Sequence, residues 1–244
     1  MIKLLKIFAI ISLLGFPVAV ILFRLEFVAF PTSFKILNYT AILAVSVFFL
    51  SMVTSFIMRR NTERASAARM AALIAFIPII GIGSQVYTAK NVPFIHNIST
   101  DTVNPPVFNK VISLRSSEHN PHVYKGDSVV SKSAGQTLAQ LQKAAYPNVT
   151  TLVSELTKDQ AHAKAKSIAQ DLGWELVSSD VDAGIIEATE TTLIWGFKDD
   201  VVVRITEVAD NKTAIDLHSV SRIGGSDLGV NAKRIEAFLG KFKS

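Results

Sequence analysis

The chain has 244 residues, of which 49% are hydrophobic, and its mean hydropathy is +0.36. Such an apolar composition argues against a single soluble domain and predicts a membrane part. The net charge is +5, but residues 1–90 carry nine Lys/Arg against two acids, whereas residues 91–244 carry sixteen against eighteen. The basic excess therefore lies in the hydrophobic half, which argues against nucleic-acid binding. The lack of cysteine excludes disulfides and thiolate chemistry.

Three uncharged apolar runs predict a membrane domain over residues 1–90. They are Ile7–Phe23, Ile36–Met58 and Met70–Ala89, with seventeen, twenty-three and twenty residues. A helix needs about 20 apolar residues to cross a bilayer, so the second and third runs qualify directly. The first is short and follows Lys3 and Lys6, as in a signal peptide, but no small-x-small cleavage site follows it. We therefore expect a retained span.

The distribution of Lys and Arg predicts the orientation. The loop "RRNTERASAAR" between the second and third runs holds four arginines, whereas the first loop holds only Arg24 and Lys35. The positive-inside rule places the arginine loop and the N-terminus in the cytoplasm. Everything after Lys90 then lies on the far side, which in a bacterium is the periplasm, and the protein is a multi-pass protein of the inner membrane.

The third run is rich in small residues, which let helices approach closely in lipid. They are Ala71, Ala72, Ala75, Gly81, Gly83 and Ser84. We expect packing among the chain's own spans rather than a face for a partner. The runs carry no charged residue, which argues against a transporter or pump.

Residues 91–135 are rich in Pro, Asn, Ser and Thr and predict an extended connector. His119 and His122 lie three residues apart, which would suit a metal site on a helix, but Pro121 argues against a helix there. We predict no metal site and no cofactor.

Residues 136–244 predict an α+β domain. "TKDQAHAKAKSIAQDLG" reads as a helix with a Thr157–Gln160 capping box, and "SDLGVNAKRIEAFLGKFK" as a closing helix. Strand-like runs with short connections lie between them, at Glu175–Ser179, Gly184–Glu190, Thr192–Gly196, Val201–Val208 and Thr213–Arg222. The spacing predicts an antiparallel β-sheet with two helices packed on one face.

Strand alternation predicts that one sheet face is polar. If the apolar residues cover the helices, the other face collects Glu187, Arg204, Asp216, His218 and Arg222. Asp199 and Asp200 are expected at the turn that enters the strand of Arg204, where their side chains could cap or bend the backbone.

Four sequence blocks resemble the uncharacterised family catalogued as domain of unknown function 1499. They are "IHNISTDTVNPPVF", "AAYPNV", "GIIEATETTLIWGFKDDVVVRI" and "IDLHSVSRIGGSDLGVNAKRI", and the resemblance runs from about Pro93 to the C-terminus. The family pattern carries over at Glu187, Phe197, Asp199, Asp200, Arg204, Asp216, Ser219, Ser221, Arg222, Gly224, Asp227, Gly229, Asn231 and Arg234. His218 departs from it, because the family commonly has arginine there. The resemblance implies a bacterial or plastid envelope or thylakoid setting, often with preceding spans, and no known reaction.

Two interpretations of the polar residues stay open. They could form ion pairs that fix the sheet register and the entry to the last helix, where Asp227 would complement the helix dipole. Alternatively they could bind a lipid headgroup or another anionic or amphipathic ligand, with Arg204 and Arg222 as clamps and the amides of Gly224–Ser226 as further donors. The candidate ligand-binding residues are Glu187, Asp199, Asp200, Arg204, Asp216, His218, Arg222, Asp227 and Asn231.

Two other functional classes remain as alternatives. The chain could be an interaction subunit whose spans dock a membrane protein partner. It could also be a hydrolase-type enzyme with Glu187, Asp199, Asp200 and His218 as acid–base groups, but the sequence has no nucleophile elbow, phosphate loop or zinc-protease motif. The sequence favours a non-catalytic binding or accessory module at the lipid bilayer.

Overall fold

The computed structural model describes residues 1–131 and 133–244, which divide into two compact units, Met1–Thr88 and Ala89–Ser244. The membrane half consists of α1 (Ile2–Arg24), α2 (Phe30–Ile57) and α3 (Thr62–Asn91). The rest of the chain comprises β1 (Asn97–Ser99), a 3-10 helix (Val111–Leu114), α4 (Leu138–Ala145), β2 (Leu152–Ser154), α5 (Lys158–Asp171), β3 (Glu175–Asp180), β4 (Ile185–Thr191), β5 (Lys198–Ala209), β6 (Lys212–Ser221) and α6 (Val230–Lys243).

Helices α1, α2 and α3 are each long and apolar enough to cross a membrane, which confirms the predicted spans. Small residues set their packing. A Cβ on Gly15 of α1 would lie 2.2 Å from the side chain of Thr40 on α2, so only glycine permits this approach. Ala71 and Ala75 of α3 are buried in a cluster with residues of α1 and α2, as expected, whereas Gly81 and Gly83 are exposed.

The described residues of the second unit form a six-stranded antiparallel sheet in the order β1-β6-β5-β4-β3, with β2 also paired to β6. Strands β3 to β6 form the predicted meander, because their short connections allow only antiparallel pairing. Strands β1 and β2 lie along the same edge of β6, beside Val220–His218 and Ile215–Thr213 respectively.

One predicted strand is wrong. Residues 192–196 form the loop between β4 and β5, because Gly196 N–H donates to Thr192 O at 2.9 Å and Thr192 N–H donates to Phe197 O at 2.8 Å. Gly196 has φ +71°, a left-handed conformation that ends the extended backbone. Strand β5 therefore begins at Lys198, and Asp199 and Asp200 lie within it rather than at a turn.

One face of the sheet packs on α5 and α6, which confirms the predicted α+β arrangement. Its core includes Val203 and Leu217 from the sheet, Ile168 from α5 and Phe238 from α6. Trp174 stacks on Phe238 with ring centroids 5.5 Å apart. Helix α5 has the predicted capping box: the Thr157 hydroxyl accepts from the backbone N–H of Gln160.

The other face is covered by the segment 100–124, which we call the covering segment. Phe108 and Val111 from this segment form a second cluster with Val202 of β5 and Val220 of β6. The sequence predicts an extended connector over residues 91–135. In the structure that stretch supplies strand β1, the covering segment and the 3-10 helix. Of the polar residues predicted for this face, Glu187, Asp216, His218 and Arg222 are consequently buried, whereas Arg204 stays partly exposed.

Candidate functional site

Asp200 is the acceptor at the centre of a cluster on the covered face. Arg222 Nε donates to both of its carboxylate oxygens, at 3.2 and 3.0 Å, and Arg222 Nη2 donates to one of them at 2.8 Å. Arg115 of the covering segment pairs with the same carboxylate, and the Thr189 hydroxyl donates to it at 2.8 Å. The Asp200 side chain is fully buried, with side-chain exposure of 0%.

Asp199 serves the opposite face, because neighbouring strand residues point to opposite sides of a sheet. It accepts from Nη2 of Arg234 on α6 at 2.6 Å. Arg234 also pairs with Glu190 of β4 and donates to the Ser219 hydroxyl at 3.0 Å. Burial alone would lower the pKa of Arg234, but the Asp199 and Glu190 carboxylates hold it above its usual value. The guanidinium is therefore charged and ties α6 to the sheet.

Together the two clusters balance in charge. The covered face has two arginines on one carboxylate, Asp200, and the helix face has two carboxylates on one arginine, Arg234. The cluster at Asp200 thus has one positive charge in excess, and the cluster at Arg234 has one negative charge in excess. The two clusters lie on opposite faces of β5, at the neighbouring residues Asp200 and Asp199. Breaking a buried pair by removing one partner costs about 3–5 kcal/mol.

Glu187 anchors the covering segment through its backbone. Its carboxylate accepts the backbone N–H groups of Asn109, Lys110 and Val111, at 3.1, 2.8 and 2.8 Å. These amides lie at the start of the 3-10 helix, where backbone N–H groups lack partners within the helix. Glu187 is 1% exposed, so its capacity as an acceptor is used inside the protein.

Arg204 and Asp216 form a third, partly open group. Arg204 Nη2 donates to Asp216 at 2.9 Å and to Asp101 at 3.1 Å. The Asp216 carboxylate also accepts from the Thr100 and Thr151 hydroxyls, at 2.8 and 2.6 Å. The Arg204 side chain is 20% exposed, which makes it the more accessible of the two predicted arginine clamps.

His218 is buried between the covering segment and β1. Nδ1 lies 2.8 Å from Pro106 O, and Nε2 lies 2.6 Å from the Asn97 carboxamide. Burial is the main cause that lowers the pKa of His218 to about 4; the charges of nearby His122 and Arg115 act in the same direction, and the Pro106 carbonyl acts against them. The ring is therefore neutral at pH 7. Nδ1 donates to the Pro106 carbonyl, which can only accept, while the Asn97 oxygen faces Nε2 and the Asn97 amide nitrogen donates to Val123 O at 3.3 Å.

Asp227 and Asn231 organise the start of α6. Asp227 accepts from the backbone N–H groups of Gly229 and Asn231, at 2.8 and 3.0 Å. Burial raises the pKa of Asp227, and these two amides partly offset the rise. The Asn231 side chain donates to His96 O at 3.0 Å and to the Ser221 hydroxyl at 2.9 Å. Gly229 is the N-cap of α6, and the Asp227 carboxylate lies beside it, at the positive end of the helix dipole.

The nine candidate residues do not share one site. Arg222 pairs with Asp200, not with Glu187 or Asp216, and it does not reach the start of α6. Sequence reasoning missed Arg115 as a partner and left Arg234 outside the candidate set. A signal for both existed, because two adjacent aspartates inside a buried strand each require a cation, and on opposite faces.

Metal binding finds no support in the histidine-rich loop. Across residues 1–131 and 133–244, no group of three or more His, Asp or Glu is arranged to hold an ion. His119 Nδ1 instead accepts from the backbone N–H of Ser116 at 3.1 Å.

A cleft of about 510 Å³ lies elsewhere, in the second unit beside residues 89–94. Its described lining is apolar or uncharged, and includes Val92, Pro93, Phe94, Val130, Ser131, Gln136 and Leu141. Small-molecule pockets hold about 300–1,000 Å³, so the cleft has the size of a ligand site. Sequence patterns do not predict this cleft, because its walls come from the predicted connector and from α4.

A family model described as protein of unknown function (DUF1499) matches residues 97–242. Comparison with curated proteins finds no match. The matched range takes in β1 to β6 and nearly all of α6, together with every residue of the buried clusters. On this match, which covers more than half of the sequence, the chain belongs to the DUF1499 family of proteins of unknown function.

Proposed function

We propose that this chain is a membrane-anchored, non-catalytic accessory module that binds an amphipathic ligand, such as a membrane lipid. The membrane is the bacterial inner membrane, with the N-terminus in the cytoplasm and the DUF1499 unit in the periplasm. The four arginines at 59–69, of which two precede α3 and two lie in its first turns, support this orientation.

The cleft beside residues 89–94 carries the proposal. Its size suits a ligand, and the described residues around it offer apolar side chains, hydroxyls and an amide but no charge. The apolar side chains in this lining suit the apolar part of an amphipath, because burial of apolar surface is favourable. The lining of the cleft begins at Ala89, the last residue of the third predicted span, which supports lipid as the ligand class.

The geometry of the arginines argues against their use as a clamp. Arg222 donates to Asp200, Thr189 and Leu114 O, and its side chain is 8% exposed. An anionic ligand would have to displace these partners. Glu187, Asp199, Asp200 and His218 are likewise bound to partners within the protein. This supports a structural role for them over acid–base chemistry.

The test is native mass spectrometry of the full chain, purified in mild detergent, with two matched variants. Val92→Glu places a charge in the cleft, and Val153→Glu places one at a 58% exposed position on β2. We expect a defined lipid on the wild type and on Val153→Glu, and about tenfold less on Val92→Glu, since each 1.4 kcal/mol is a factor of ten.

Lipids bound around the spans are common to all three proteins and cancel in this comparison. Equal lipid retention by Val92→Glu and Val153→Glu would refute the cleft as the binding site. Co-purification of a stoichiometric membrane protein in place of lipid would favour the interaction-subunit alternative.

A further inference from the structure

The loop between β4 and β5 presents apolar side chains to the surroundings. Leu193 is 90% exposed and Ile194 is 56% exposed, and the rings of Trp195 and Phe197 stack with centroids 5.6 Å apart. Most turns of soluble domains are polar, because apolar surface in water is unfavourable. The exposure of Leu193 and Ile194, beside a partly buried Trp–Phe stack, therefore requires an explanation.

The loop is held in a fixed shape. Besides the two backbone bonds that close it, Phe197 N–H donates to the Thr192 hydroxyl at 2.9 Å. Its backbone amides at 192, 196 and 197 thus have acceptors within the loop. These internal hydrogen bonds lower the free-energy cost of moving the loop from water into lipid, because a backbone group without a hydrogen-bond partner is very unfavourable in the bilayer core.

The register of the sheet places this loop at the end where the chain enters from α3. Glu190 pairs with Asp199, Asp199 pairs with Ser221, and Ser221 N–H donates to His96 O, the residue before β1. Only residues 92–96 separate the last residue of α3 from β1. Six residue steps span at most about 20 Å, so the length of the connection limits the distance between the end of the last span and this end of the sheet.

The two ends of the sheet differ in chemistry. The opposite end carries the β3–β4 and β5–β6 turns, with Asp182, Asp210 and Lys212. Residues 191–197 carry no charge, and an exposed lysine, Lys198, follows them. Trp is enriched at the membrane–water interface, and Leu, Ile and Phe favour the bilayer core. A lysine beside them suits lipid phosphates.

We propose that the loop Thr192–Phe197 inserts into the leaflet on its own side of the membrane that the spans cross. Leu193 and Ile194 enter the acyl boundary, Trp195 lies at the headgroup level, and Lys198 contacts phosphate. The loop is a second attachment point, which fixes the orientation of the DUF1499 unit over the bilayer. This inference is independent of the cleft and its ligand, and it depends only on the membrane anchor.

Site-directed spin labelling tests the proposal, because the chain has no native cysteine. Leu193→Cys and, as the matched control, Val208→Cys each carry one nitroxide on the full chain in phosphatidylcholine–phosphatidylglycerol vesicles. Val208 is 55% exposed, and it lies near the β5–β6 turn at the opposite end of the sheet. Collision rates with oxygen, which concentrates in the bilayer, and with a water-soluble nickel chelate report the depth of each label.

The expected result is a severalfold higher oxygen-to-nickel ratio at position 193 than at position 208. Adding Ile194→Asp should bring the ratio at 193 down toward that of the control. Equal ratios at 193 and 208 would place the loop in water and overturn the proposal. Low accessibility to both reagents at 193 would show that protein covers the loop, and would overturn it equally.

Discussion

At the residue scale, the adjacent residues Asp199 and Asp200 have different structural roles, because their side chains lie on opposite faces of the sheet. Strand alternation turns Asp199 toward α6 and Asp200 toward the covering segment, so each carboxylate binds its own arginines. The two aspartates therefore hold different layers onto the same strand. A single catalytic or metal-binding pair would have needed both side chains on one face.

The first prediction compares Arg222 and Arg204, the two arginines that the sequence suggests as ligand clamps. Arg222→Gln leaves buried Asp200 with one guanidinium fewer, and the free energy of unfolding should fall by about 3–5 kcal/mol. Arg204→Gln should cost only about 1–2 kcal/mol, because Asp216 keeps its two hydroxyl donors and the site is partly solvated. Denaturant unfolding followed by tryptophan fluorescence measures both. Similar losses of unfolding free energy in the two variants would contradict the conclusion that Arg222 is buried in a structural ion pair and Arg204 is partly solvated.

The second prediction concerns pH. The pKa of His218 is about 4 in the folded chain, against about 6.5 for an unperturbed histidine. The unfolded state therefore binds the proton first, and stability that is complete above pH 6.5 is lost as pH falls toward 4. Between pH 7 and pH 5 the His218 share of this loss is about 2 kcal/mol.

His218→Gln removes this titration and should flatten the stability profile in that window relative to the wild type. The measurement is the unfolding free energy of both proteins at a series of pH values. A wild type that gains stability on acidification, relative to His218→Gln, would mean that the ring is charged when folded.

At the element scale, the covering segment depends on Glu187 more than on its own secondary structure. The 3-10 helix Val111–Leu114 has no side-chain cap, and its first amides are bound by the carboxylate of β4 instead. The segment also contributes Arg115 to the cluster at Asp200. The element is thus fixed by residues far away in sequence.

The third prediction is that Glu187→Gln releases this segment locally. One carboxylate oxygen becomes an NH₂ group that faces backbone N–H donors, so at least one buried amide loses its acceptor. Hydrogen–deuterium exchange should speed up in peptides covering residues 105–116, while α5 and α6 keep their protection. Uniform acceleration across the whole unit would show that Glu187 holds the global fold rather than one element.

The helices and the meander could be predicted because their signals are local. Thr157 and Gln160 mark a helix start, and alternating residues mark β4, β5 and β6. The covering segment could not be predicted, since its contacts at Phe108, Arg115 and Asn97 are long-range and follow no period. The loop at Thr192–Phe197 was mistaken for a strand because its β-branched and aromatic residues have strand propensity, and Gly196 overrides it.

At the scale of the whole molecule, the chain combines three predicted spans with a unit whose polar clusters at Asp200 and Arg234 are buried. The membrane part, the family and the α+β sheet follow from the structure and the family match. Ligand binding at the cleft and insertion of the β4–β5 loop are two separate proposals.

The fourth prediction is the orientation. Reporter fusions at position 65, in the first turn of α3 and within the arginine-rich stretch, should be active in the cytoplasm, and fusions after Ser244 should be active only outside it. Replacing the four arginines of the 59–69 loop with glutamine should weaken this preference. A cytoplasmic reporter signal at the C-terminus of the wild type would refute the periplasmic assignment.

The most direct test of the account is the variant Asp200→Asn, with Asp210→Asn at an exposed turn as its control. If the polar clusters are structural, Asp200→Asn leaves two buried guanidinium groups without a full counter-charge. Its unfolding free energy should then fall by about 3–5 kcal/mol, while the control stays within about 0.5 kcal/mol and the folded variant retains its bound lipid. Unchanged stability together with loss of bound lipid would contradict the account and identify the cluster as the ligand site.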